Sequence, residues 1–155
     1  MRVRPAYRAL QFWHALTAMP PRQPPCDLGP GLCALYGAMP RADRAHGLRT
    51  YSRLRAAGPV PADLAAAALL HDVGKARAGI YLWHRVLFVL ARGRLPEWLA
   101  RRPGFAALRA HAENGAALVA AAGGTPRTVE LIRRHHDAHA GDDVLAALQA
   151  ADEES

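Results

Sequence analysis

From Asp63 to Leu70 the chain reads Asp-Leu-Ala-Ala-Ala-Ala-Leu-Leu, and the next two residues are His71 and Asp72. Alanine and leucine are strong helix formers. A helix apolar nearly all the way round belongs inside a protein rather than on its surface. Ending such a helix in an imidazole beside a carboxylate is costly: a buried, unpaired carboxylate costs several kcal/mol or shifts its pKa until it is neutral. This segment therefore requires an enclosing shell of other elements and a positive partner for Asp72.

The rest of the chain supplies that shell as helices. An amphipathic pattern covers Ala6 to Met19 and stops at Pro20-Pro21, and a proline-rich loop runs on to Pro30. Short helical segments are expected at Gly31 to Met39, stopped by Pro40, and at Arg41 to Ala57, closed by Gly58-Pro59. Pro61-Ala62-Asp63 opens the alanine-rich helix, which is expected to stop near Asp72-Val73-Gly74 with Gly74 as its left-handed cap. Further helices are expected at Ile80 to Ala91, around Pro96 to Ala100, and from Phe105 to Ala122 before Gly123-Gly124. Thr125-Pro126 pairs an N-cap with a first-turn proline, opening a helix that runs to about His135. Gly141-Asp142-Asp143 turns the chain into a last helix, Val144 to Glu154. No strand and no repeat is expected. The fold class is all-α, a bundle of about six to eight helices, with residues 1–39 as a helical extension packed on a principal domain at 40–155. A length of 155 residues suits one compact domain.

Composition narrows the function classes. The longest apolar stretch, Ile80 to Ala91, is broken by His84-Arg85 and falls short of the ~20 residues a bilayer span needs. Arg2, Arg4 and Arg8 are not followed by the apolar run of a secretory leader. Cys26 and Cys33, the two cysteines, suggest neither a disulfide framework nor a zinc knuckle, so a reducing cytoplasm is expected. The net charge of +7 rests on 19 arginines and a single lysine, Lys75, among 20 basic residues. The arginines are scattered and not interleaved with aromatics, which argues against a dedicated nucleic-acid face. A positive field would equally attract a phosphorylated small molecule.

The histidines carry the chemistry. Of eight, several fall at the ends or inner faces of expected helices beside carboxylates. Imidazole nitrogen and carboxylate oxygen both ligate first-row divalent metals, so a cation would meet the demand set by His71-Asp72. Asp72 has two oxygens and can bridge two ions about 3.5–4 Å apart. His46 and Asp152 could complete one side; His111, His135 and His136 could complete the other. Adjacent residues of a regular helix point in different directions, so His135-His136 is expected at or past a helix end. His14, His84 and His139 are read as ordinary histidines, and Trp13, Trp83 and Trp98 as packing anchors.

Five elements in order carry a resemblance. They are Ala45-His46-Gly47-Leu48; His71-Asp72-Val73-Gly74-Lys75; His111-Ala112-Glu113-Asn114-Gly115-Ala116; Ile132-Arg133-Arg134-His135-His136; and Leu148-Gln149-Ala150-Ala151-Asp152. This pattern resembles the HD superfamily of metal-dependent phosphohydrolases, and its dinuclear branch in particular. The resemblance covers about Pro40 to Asp152. It implies a metal set of His46, His71, Asp72, His111, His135, His136 and Asp152, holding two divalent ions. An all His/carboxylate set suits iron or manganese, with zinc, nickel or magnesium as alternatives. It also implies hydrolysis of a phosphoester by a metal-activated water, with Asp72 and Lys75 in the catalytic apparatus. The substrate would be a phosphorylated small molecule, a nucleotide or cyclic dinucleotide, gripped by Lys75 with Arg85, Arg109 or Arg134. The Gly-Tyr-Pro signature of one cyclic-dinucleotide branch is absent after His135-His136. Two alternatives stay open: a mononuclear nucleotidase-like phosphatase using His46, His71, Asp72 and Asp152, and a catalytically silent nucleotide-binding domain.

Overall fold

The computed structural model describes residues 20–75, 103–138 and 141–155, and of 103–109 the backbone alone. The helices expected at Ala6–Met19, Ile80–Ala91 and Pro96–Ala100 lie outside the described residues, as do His14, His84, Arg85, His139, the three tryptophans and the Arg109 side chain. Six helices are described: α1 (Pro30–Ala38), α2 (Arg41–Ala57), α3 (Ala62–Leu70), α4 (Pro103–Ala121), α5 (Pro126–Arg134) and α6 (Asp143–Glu153). A 3-10 turn at Val73–Lys75 follows α3. Among the described residues there is no strand, so the class is all-α, and no helix is long and apolar enough to cross a membrane.

Helix α3 is the axis of the bundle. Every residue from Leu64 to Leu70 is buried, and α1, α2, α5 and α6 all pack against it. Leu32 and Tyr36 of α1, Leu54 of α2, Leu131 and Ile132 of α5, and Leu145 and Leu148 of α6 complete the core. Burying a leucine or isoleucine side chain is worth about 1.5–3 kcal/mol, so this cluster is the main source of stability.

The helix ends follow from local chemistry. The Thr125 side chain accepts a hydrogen bond from the Thr128 N–H at 3.1 Å, and Pro126 stands at the first helical position of α5. Asp142 caps α6 in the same way, accepting from the Leu145 N–H at 3.1 Å. Helix α4 ends where Gly123 adopts φ 87°, with Gly124 N–H donating to Val119 O and Gly123 N–H to Ala120 O. That pair of bonds is the Schellman arrangement, and it needs a residue free to enter the left-handed region.

Gly74 departs from the expectation of a left-handed cap: the positive-φ glycines among the described residues are Gly29, Gly58, Gly123 and Gly141. Gly74 sits within the 3-10 turn, and the need for glycine there is one of space. A Cβ at this position would collide with the His111 carbonyl oxygen and lie 2.7 Å from the Gly115 nitrogen. A similar close approach joins α2 to α3, where a Cβ on Gly47 would lie 2.7 Å from the Leu69 carbonyl oxygen. Two backbone contacts thus bring the elements carrying His46 and His111 against the end of α3. Gly74→Ala is expected to lower stability by about 1–3 kcal/mol through overpacking. Urea unfolding checks this, and an unchanged midpoint would contradict the close-packing account.

Candidate metal centre

The apolar helix α3 delivers its two polar residues into the interior, where His71 and Asp72 are 1% and 4% exposed. His71 continues the helical ladder through its N–H to Ala67 O at 2.8 Å. Its ring nitrogen Nδ1 lies 3.0 Å from the Ala68 carbonyl, which can only accept, so Nδ1 carries the proton and Nε2 keeps its lone pair. That Nε2 lies 3.2 Å from Asp152 Oδ1 and 3.8 Å from Asp72 Oδ1, yet it is buried without a hydrogen bond of proper geometry. His46, from α2, places Nε2 2.7 Å from Asp152 Oδ1 and 4.0 Å from Asp72 Oδ2. His46, His71, Asp72 and Asp152 therefore face a common point.

A second group adjoins the first. His111 of α4 has Nε2 3.3 Å from His135 Nε2 and 3.1 Å from His136 Nε2. Imidazole nitrogens this close cannot all be satisfied by one another, because one ring N–H serves one acceptor. Two nitrogens each about 2.1 Å from a shared ion would stand about 3.0–3.4 Å apart, so the spacing fits a common cation. His135 Nδ1 lies 2.6 Å from the Ile132 carbonyl, again fixing the proton on Nδ1 and aiming Nε2 inward. Both histidines follow the end of α5 at Arg134, where the departing backbone lets neighbours in sequence face the same place. The groups meet at Asp72, with Oδ1 3.7 Å from His111 Nε2 and 2.5 Å from Lys75 Nζ.

The electrostatics match those contacts. Burial opposes ionisation of Asp72, but Lys75, His71 and His46 outweigh it and hold the carboxyl well below the usual range. Burial likewise opposes charge on Asp152, but the hydrogen bond from His46 and the neighbouring His71 imidazole prevail, keeping it anionic. For His71 burial disfavours the proton, while Asp72 and Asp152 win and raise its pKa. Burial, aided by His71 and His136, pushes His135 down to about 3, and burial with Lys75 lowers His136. Ionised carboxylates and neutral imidazoles are the forms that ligate metals. The raised His71 shows the same demand met by a proton, which a cation would displace.

All seven residues expected as ligands are thus gathered here, from α2, the end of α3, α4, the end of α5 and α6. Lys75 is with them. Arg134 is engaged elsewhere: its Nη1 is 3.0 Å from Glu130 and 3.9 Å from Asp142. Arg127 joins the same network, 2.9 Å from Glu130 and 2.7 Å from Asp142, tying α5 to the cap of α6. One contributor escaped the sequence reading. Gln149 of α6 donates through Nε2 to the carbonyls of His135 at 3.2 Å and Asp137 at 2.6 Å. The signal was its spacing, since positions 149 and 152 share a helix face.

A folded pKa of about 3 for His135 fixes a sign. The unfolded imidazole, with pKa about 6.5, binds a proton that the folded one refuses, so stability falls as pH drops from about 6 towards 3. In metal-stripped protein this group contributes a slope of about 1.4 kcal/mol per pH unit over that interval, and His135→Asn is expected to remove it. His71 acts oppositely, stabilising below about 6.5 and losing that contribution as pH rises through its raised value, but it is common to both proteins. Denaturant unfolding in chelator across this range checks the difference; parallel curves would refute the assignment.

No curated protein and no solved structure matches the chain. The family model described as HD domain matches residues 45–154, a span that begins beside His46 and closes beyond Asp152. With more than half its length matched and the histidine–aspartate centre inside the matched span, the chain belongs to the HD domain family.

Proposed function

We propose that this chain is a phosphohydrolase working with two divalent cations. His46, His71, Asp72 and Asp152 would hold one, and His111, His135 and His136 the other, with Asp72 shared. The observation that carries this reading is the position of Asp72 between the two groups, Oδ2 towards His46 and Oδ1 towards His111. When bound, such cations supply Lewis acidity, lowering the pKa of a water and offsetting charge on a phosphoryl group.

The protein's own residues do the rest. Asp72 and Asp152 concentrate negative charge in a buried place, and the carbonyls of Ala68 and Ile132 fix the His71 and His135 tautomers. Lys75 keeps Asp72 ionised and presents a compact positive charge to an incoming phosphate, where a guanidinium would be a bulkier, planar donor. The net charge of +7 draws anionic substrates. A phosphorylated small molecule, a nucleotide or cyclic dinucleotide, is the substrate class that fits. Iron or manganese suits the donor set best, with zinc, nickel or magnesium as alternatives. Arg134 gains no support as a substrate grip, because its contacts are with Glu130 and Asp142.

The mononuclear reading has one observation in its favour: His46, His71, Asp72 and Asp152 form a sufficient set by themselves. It differs in requiring one ion and tolerating loss of His135. Elemental analysis of protein loaded with iron or manganese is expected to give about two ions per chain. Hydrolysis of an aryl phosphodiester by the loaded protein is the matching activity assay. Asp72→Ala is expected to reduce both metal content and turnover to background. Full turnover in that variant would refute the mechanism, and nucleotide binding without turnover in wild type would favour a silent binding domain.

A further inference from the structure

We infer that Gln149 is a positioning residue that sets the His135–His136 pair against the rest of the centre. The inference rests on the two-cation reading above. His135 and His136 follow Arg134, the last residue of α5, with His135 as its C-cap. The chain there is a turn closed by the Asp137 N–H to Arg134 O at 2.8 Å. A turn of this kind leaves the His135 and Asp137 carbonyls open to donors from outside the helix. Gln149 supplies both from a single amide, at 3.2 and 2.6 Å.

The donor's origin gives the contact its consequence. Gln149 stands on α6 one helical turn before Asp152, which is hydrogen bonded to His46. Helix α6 is itself seated by Leu145 and Leu148 in the core, both fully buried. Gln149 therefore couples the turn carrying two imidazoles of the second group to the rigid helix carrying a carboxylate of the first. The Arg127–Asp142 pair, 15 residues apart in sequence, ties the start of α5 to the cap of α6 rather than holding the turn beyond α5.

Three variants separate positioning from general stability. Gln149→Ala removes the donor, Gln149→Glu keeps the size but offers only acceptors to two carbonyls, and Gln149→Lys restores N–H donors on a longer stem. Ions per chain are measured at saturating manganese, together with hydrogen exchange at the Asp137 amide. The expected result is loss of one of the two ions in the Ala and Glu variants, faster exchange at Asp137 with α3 amides unchanged, and recovery of both by the Lys variant. A purely stabilising role would lower the melting temperature of the Ala and Glu variants while leaving two ions bound and the Asp137 exchange unchanged, and that result overturns the inference. Should wild type itself bind a single ion, the two-cation reading fails separately. The positioning role is then decided by exchange at Asp137: faster in Gln149→Glu sustains it, unchanged refutes it.

Discussion

Asp72 is a carboxylate at the end of a buried helix, and the surrounding structure is arranged around its charge. At 4% exposure it has almost no water to solvate it, so its anionic form depends on cationic neighbours. Lys75 supplies one charge directly, and His46 and His71 contribute to holding the carboxyl ionised. Asp152, brought in by α6, adds a second carboxylate, 2.7 Å from His46 Nε2. Two anions among imidazoles whose protons are fixed by backbone carbonyls form a receptor for a cation.

Assembling that receptor takes close approach more than it takes strong pairwise contacts. The ligands come from five separate elements, so each must be carried to the end of α3 by packing. Gly47 lets α2 lie against the Leu69 carbonyl, and Gly74 lets the 3-10 turn lie against α4 beside His111. Alanines along α3 keep its own surface narrow, while the leucines and isoleucine of α5 and α6 fill the space around it. The polar interior is tolerable because its members satisfy one another or face a shared point, and among the described residues it is where a buried imidazole nitrogen, His71 Nε2, is left without a hydrogen-bond partner. Such an orphan is costly in an apolar core and useful in a ligand shell.

Much of this was legible in the residues. Local signals at Thr125-Pro126, Asp142 and Gly123-Gly124 marked helix ends that the structure reproduces with the hydrogen bonds those residues are suited to make. The ordered motifs around His46, His71-Asp72, His111, His135-His136 and Asp152 supplied the candidates through their resemblance to the HD superfamily, and the structure brings these side chains together. Gly74 was misread as a conformational cap: glycine's two uses, positive φ and absent side chain, look identical in sequence. The partners of Arg134 were not legible for a related reason, since an arginine beside a histidine pair carries the same charge whether it faces a phosphate or the Glu130 and Asp142 carboxylates.

The sequence by itself determined the all-helical class, the burial of Leu64–Leu70 and the set of seven ligand-type side chains. The first two follow from periodicity, capping and desolvation, which act within a few residues, and the third from the resemblance of five ordered motifs to the HD superfamily. Only the tertiary structure decided how the seven are distributed: three imidazoles converging within 3.3 Å contacts, two carboxylates shared with His46 and His71, and Asp72 between the groups. It alone revealed Gln149 holding the His135–His136 turn and Arg127 tying α5 to α6. Distances between residues up to 106 positions apart depend on which helix faces meet, and those are fixed by the packing of the whole core.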